Sequence, residues 1–211
     1  MDRADPSSAP ASTRLGWVYA VFIVSGFAAL LYQVCWQRAL FAIFGINIEA
    51  VTVVVTAFML GLGVGSLAGG EISKRPTRPV LLYFSAVEAG IGGFGLASLR
   101  LFDAVGSWTL HAPSWVVATA SLVLVLIPTT LMGATLPLLV AHAVRQTHNV
   151  GRSVGMLYFV NTLGSAVASF AAVLALLPQL ALSGSIRVAA ALNFTVALAV
   201  LVAHLRSRKG A

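Results

Sequence analysis

The chain has 211 residues, of which 59% are hydrophobic and only 9% charged, with a mean hydropathy of +0.94 and a net charge of +7. Soluble domains carry about 25% charged residues, so this composition excludes a soluble globular fold and describes an integral membrane protein. A single cysteine, Cys35, excludes a disulfide framework and a CxxC or zinc pattern, and reads as a small packing residue.

Residues 1–14, MDRADPSSAPASTR, are polar and rich in Pro, Ser and Ala, and are expected to form a disordered N-terminal segment. No short apolar stretch with a small-residue cleavage site follows, so no cleaved signal peptide is expected. Over residues 15–205 the apolar runs predict an all-α membrane domain of six transmembrane helices. The first helix covers 15–44, and Gly45-Ile46-Asn47 turns tightly into the second, 48–72. The basic loop 73–78, SKRPTR, leads to a third helix, 79–101, and the stretch 103–113 connects it to a fourth, 114–144. Pro128 and Pro137 inside that fourth helix are expected to bend it and to free carbonyls near Thr129 and Thr130. A polar loop, 145–152, precedes the fifth helix, 154–177, which ends at Pro178; the sixth covers 185–205, and 206–211 is a basic tail.

An even number of crossings puts both termini on one side, and the cations say which. Arg3, Arg14, Lys74, Arg75, Arg78, Arg145, Arg152, Arg206, Arg208 and Lys209 share one face, against Arg38, Arg100 and Arg187 on the other. This excess predicts cytoplasmic termini, in an inner (plasma) membrane. The basic balance therefore reports topology and contact with anionic headgroups, and no nucleic-acid partner is expected. Gly61, Gly65 and Gly69 recur every four residues on the second helix and predict a face for close helix packing. The run Gly61-Leu62-Gly63-Val64-Gly65 is not a dinucleotide loop, because it lies mid-helix with no strand before it.

One acid lies deep in apolar sequence. Glu88 is nine residues from Pro79, about 13–14 Å at ~1.5 Å per residue, close to the midplane of a hydrocarbon core ~30 Å thick. A carboxylate there is expensive and marks a functional site by default; the alternative is a protonated Glu88 acting as interhelical hydrogen-bond glue. Thr129, Thr130, Asn161, Thr162 and Asn193 reach similar depth, and Tyr32, Gln33, Trp36 and Gln37 interlock on one face of the first helix beside Arg38. An acid, amides and aromatic faces suit an organic cation, through charge and cation–π attraction. The substrate-binding candidates are Glu88, Tyr32, Gln33, Trp36, Arg38, Thr129, Tyr158 and Asn161. His111, His142, His148 and His204 lack metal-ligand spacing, and no nucleophile–base pair is visible. No catalytic residue, metal or cofactor is assigned.

Four stretches carry a resemblance: GFAALLYQVCWQRAL (26–40), FMLGLGVGSLAGG (58–70), LMGATLPLL (131–139) and GRSVGMLYFVNTLGSAVAS (151–169). They resemble the membrane portion of spermidine-synthase-like membrane proteins, in which a major-facilitator-like segment is often followed by a soluble aminopropyltransferase domain. The resemblance runs from residue 15 over almost the whole chain. It departs from the family at Tyr32-Gln33, where Tyr-Glu is frequent, and at Gly69-Gly70-Glu71-Ile72-Ser73-Lys74-Arg75, where the order of charges is reversed; Glu71 and Lys74 remain at bridging spacing. The sequence stops at Ala211 without a soluble domain, so no aminopropyltransferase activity is expected of it.

The resemblance implies half of a major facilitator transporter, built from two three-helix repeats. Such transporters bind substrate between halves, so a second copy is the expected partner, in a parallel homodimer with Glu88 facing Glu88 across the axis. The expected activity is secondary transport of a small polar or cationic, polyamine-like metabolite, with Glu88 available to couple protons. The rival reading is a membrane scaffold for a separately encoded soluble enzyme. A membrane-embedded enzyme acting on lipids is a third reading without a visible catalytic group.

Overall fold

The computed structural model describes residues 11–44 and 48–209, and every element among them is helical. The expected disordered segment thus lies mostly outside the described residues, and the turn at Gly45-Ile46-Asn47 wholly so. The helices are α1 (Ala11–Phe44), α2 (Ile48–Ser73), α3 (Val80–Trp108), α4 (Ser114–Thr147), α5 (Val150–Ala171) and α6 (Leu177–Lys209), with a π-helical turn, Ala172–Leu176, joining the last two. Helices apolar on every side belong in lipid. Leu67, Leu96, Trp115, Phe170 and Leu198 all point outward.

Five runs are long and apolar enough to cross a membrane: Leu15–Ile43, Val51–Ser73, Val80–Trp108, Ser114–Thr147 and Val150–Arg208. The last has 59 residues. Unbroken, it would reach about 90 Å at ~1.5 Å per residue, three times the hydrocarbon thickness. It is broken. Pro178 removes a backbone donor just after the π-turn, and Ala181 leaves helical geometry at φ 53°, ψ −170°. The core has two clusters, one around Trp36, Phe102 and Ala172, the other around Leu15, Phe22, Val80 and Leu139. The α5 helix packs in the second cluster at Leu157, and the π-turn and the start of α6 reach the first through Ala172 and Leu177. The α6 helix leaves the first at Ile186 and returns to the second at Val196 and Val200. The run therefore passes through the core twice.

Most helix ends extend past the sequence expectation; the fifth instead gives way after Ala171 to the π-turn, and Pro178, expected to end it, lies in the first turn of α6, where a proline's missing donor is tolerated. The third continues to Trp108, so Asp103 and Trp108 are helical and only 109–113 link it to α4. The α4 helix continues to Thr147, where His148 caps it in the left-handed region at φ 53° and Asn149 opens α5 by accepting from the Arg152 amide at 2.9 Å. The last four tail residues before Gly210 are helical too. Polar residues near an interface do not stop a helix whose backbone must remain hydrogen-bonded.

Packing is interleaved. The chief contacts are α2 with α4, α1 with α5 and α3 with α6, followed by α3 with α4 and α1 with α6. The glycine face of α2 meets α4: a Cβ at Gly61 would fall on the Thr129 side chain, and one at Gly65 on the Thr130 carbonyl and Gly133. The α1 and α5 helices approach in the same manner through Gly26 and Gly164. The α4 helix stays continuous through both prolines. Pro137 cannot donate to the Gly133 carbonyl, and the Ser66 hydroxyl of α2 donates to that carbonyl instead, at 3.2 Å.

Candidate functional site

Glu88 lies wholly inside the bundle, with no exposed surface. The α3 helix turns this face inward because Val80, Leu81, Phe84, Ile91 and Ser98 are buried with it. The Ser25 hydroxyl of α1 donates to Oε1 at 2.5 Å, and the Asn193 amide of α6 donates to Oε2 at 2.6 Å. Both carboxyl oxygens are thus held by neutral donors, and three helices are tied at one point. Among the described residues the ion pair is Lys74 with Glu71, at the bundle end. Glu88 does not lie on an outer surface, so in this conformation it does not face a second copy. An acid avoids lipid by turning toward its own chain's donors.

Both partners of Glu88 line a cavity of about 130 Å³. Its polar walls are Ser25 and Gln33 from α1, Thr135 from α4, Asn161 and Ser165 from α5, and Asn193 from α6; Phe58, Leu62, Ile91 and Met132 supply apolar surface. This space is large enough to admit several water molecules or a small ligand. It sits near the middle of the helices that line it. Several of its polar groups are already engaged: Thr135 donates to the Met132 carbonyl at 2.7 Å and Ser165 to the Gly26 carbonyl at 3.1 Å. Others are not. Gln33 and Asn161 make no side-chain hydrogen bond to the described residues, and the Asn193 Oδ1 is buried without a partner. The cavity therefore offers uncharged donors and acceptors, with the carboxyl group of Glu88 one side chain behind its wall.

The candidate residues divide accordingly. Gln33 and Asn161 line the cavity, and Glu88 reaches it through Ser25 and Asn193. Tyr32 and Trp36 do not line it. Their rings stack at 5.0 Å inside the core, with Trp36 also against Phe58, Phe94 and Phe102. The Tyr32 hydroxyl and the Trp36 Nε1 are buried without partners among the described residues, and Tyr32 fits because position 95 is glycine. Thr129 is buried between α2 and α4, its hydroxyl within reach of the Ala57 and Val125 carbonyls at 3.1 and 2.9 Å. Arg38 is exposed, and Tyr158, 62% exposed, points out from α5. Ser25, Thr135 and Ser165 were not among the candidates. Helical spacing carried a signal for them: Ser25, Ala29 and Gln33 are four apart, as are Asn161 and Ser165. Among the described residues, no three His, Cys, Asp or Glu side chains converge to hold a metal.

Comparison with known proteins adds one relative. The chain is 27% identical over 214 residues to a protein called polyamine aminopropyltransferase 1 from Streptomyces coelicolor, an alignment covering 98% of this chain and 38% of the relative. The chain thus spans under two-fifths of the length of the curated relative it matches. No family model matches it, and no solved structure does.

Proposed function

We propose that the chain is a half-sized secondary transporter that crosses the membrane six times and works as a parallel homodimer. The single observation that carries this reading is the cavity at mid-depth, with unengaged amides at Gln33 and Asn161 and a buried acid behind it. Packing supports the half-transporter architecture. Exchanging α1 with α4, α2 with α5 and α3 with α6 maps the chief contacts onto one another: α1·α5 becomes α4·α2, and α3·α4 becomes α6·α1. Such internal exchange is expected of two inverted three-helix repeats. Back-folding at Ala181 supplies the sixth crossing. The basic end holds Lys74, Arg75, Arg78, Arg145, Arg152, Arg206 and Arg208, and faces the cytoplasm.

The second copy seats on the outward apolar surface of α2 and α5, where Met59, Leu67, Phe159 and Phe170 are exposed. That surface borders the cavity at Leu62 and Asn161, so the dimer joins two cavities into one central site. The substrate is a small polar or cationic metabolite of the polyamine kind. Its ammonium engages the amide oxygens, and Glu88 supplies charge and a proton site once Ser25 or Asn193 lets go. The test is uptake of labelled putrescine into proteoliposomes, with and without a pH gradient. Uptake by the wild-type protein that is lost in Glu88→Gln supports the reading, and equal uptake by both removes Glu88 from it.

The similarity to an aminopropyltransferase favours a second reading, a membrane scaffold for a soluble enzyme of that class. Co-purification of such an enzyme through residues 74–78, with no uptake in liposomes, would favour it.

A further inference from the structure

At the basic end, Arg145 of α4 donates from Nη1 to the Arg78 carbonyl at 3.1 Å and from Nη2 to the Arg75 carbonyl at 3.2 Å. This clamp ties Arg145 to the backbone of the loop that carries Arg75 and Arg78, so three arginines belong to one small region of this end. The nearby acid, Glu71, is paired with Lys74, and none of the three arginines has a carboxylate partner among the described residues. Among the described residues at this end, Lys74, Arg75, Arg78, Arg145 and Arg152 are five cations against one acid, Glu71. Arg145 commits two of its five N–H donors to the clamp and keeps three.

Directly beside the basic loop, a groove of about 460 Å³ runs between α2, α4 and the start of α5. Lys74 and Arg145 line it together with Pro137, Val140, Ala141, Val144 and Val150. It is an apolar slot with cations along its lining, at the end of helices that cross a bilayer.

We infer that this groove is a binding site for an anionic phospholipid: its phosphate is the counter-ion that Arg145 lacks, next to the basic loop that carries Arg75 and Arg78, and an acyl chain lies along Val140, Ala141 and Val144. Charge complementarity chooses the occupant. A zwitterionic lipid brings its own cation beside Arg145, whereas an anionic one neutralises it. The site is separate from the central cavity and independent of the transport reading.

The test is thermal unfolding of the full chain in mild detergent supplemented with phosphatidylglycerol, with phosphatidylcholine of the same chains, or with inorganic phosphate. Native mass spectrometry counts the lipid retained. The expected result is a rise in Tm with phosphatidylglycerol alone, reduced about twofold or more in both Arg145→Gln and Ala141→Phe and unchanged in Arg100→Gln at the opposite end. Ala141→Phe fills the groove and leaves every charge in place, so it reports on the acyl contact if Arg145→Gln fails to fold. Equal shifts with the two lipids would overturn the proposal. A shift with inorganic phosphate as large as that with phosphatidylglycerol would overturn it too, leaving an anion site without a lipid.

Discussion

Glu88 joins α3 to α1 and α6 through two short hydrogen bonds, which sets what its replacements do. Glu88→Gln preserves the shape and an acceptor oxygen, so it should fold and elute as the wild type does, and under the transporter proposal it should lose uptake. Glu88→Ala leaves the Ser25 hydroxyl and the Asn193 amide unpaired, at a cost of about 1–3 kcal/mol each, and should lower Tm visibly. Ala181 makes a prediction of the opposite sign. Its φ of 53° with ψ near 180° is a region almost reserved for glycine and costs about 1–3 kcal/mol. After the entropy glycine brings to the unfolded chain, Ala181→Gly should raise stability by about 1 kcal/mol in a denaturant titration. The presence of an acid at depth was legible in the sequence, but not its direction, because helix rotation is set by neighbours such as Asn193, 105 residues away. That Tyr32 and Trp36 lie off the cavity was hidden for another reason. Their polar tips suggested a wet face, while their ring bodies bury among Phe58, Phe94 and Phe102.

Among the elements, the α2·α4 pair is the most explicit about what it tolerates. Gly65→Leu drives a side chain into the α4 backbone and should separate the helices, costing about 1–3 kcal/mol or abolishing folded expression. Gly63→Leu, two residues away in open space, should be accepted without change in Tm. The four-residue glycine spacing made this face readable. Its partner was not, since spacing names no second helix. The prolines of α4 were visible as breaks in the hydrogen-bond ladder. The remedy at Pro137, a donation from Ser66 in another helix, lay beyond a local reading. The break at Ala181 falls within 178–184, the interval that Pro178 marked off in the sequence, but which residue would carry it was not legible, because alanine ordinarily extends a helix.

For the whole molecule, the paired-half reading predicts a particle of twice the 21.9 kDa chain mass in mild detergent, measured by light scattering. A monomer at every concentration would leave the cavity near Leu62 and Asn161 open to lipid and would end the transporter reading. The class of fold followed from composition, since so little charge and so many long apolar runs leave only a helical bundle in lipid. How the helices interleave did not follow.

That interleaving bears on how the protein is made. Each of the first three helices has its main partner among the last three: α1 with α5, α2 with α4, α3 with α6. A nascent chain that has delivered α1 to α3 into the bilayer therefore has little to pack against, with Glu88 and Asn193 still far apart in time. During synthesis at about 5–20 residues per second, the acid waits several seconds for its α6 donor. The first half is thus a dependent fragment whose exposed carboxyl group invites an insertase or quality-control protease to hold or remove it. Separate expression of residues 1–110 should give a rapidly degraded product, rescued when residues 111–211 are supplied in the same cell.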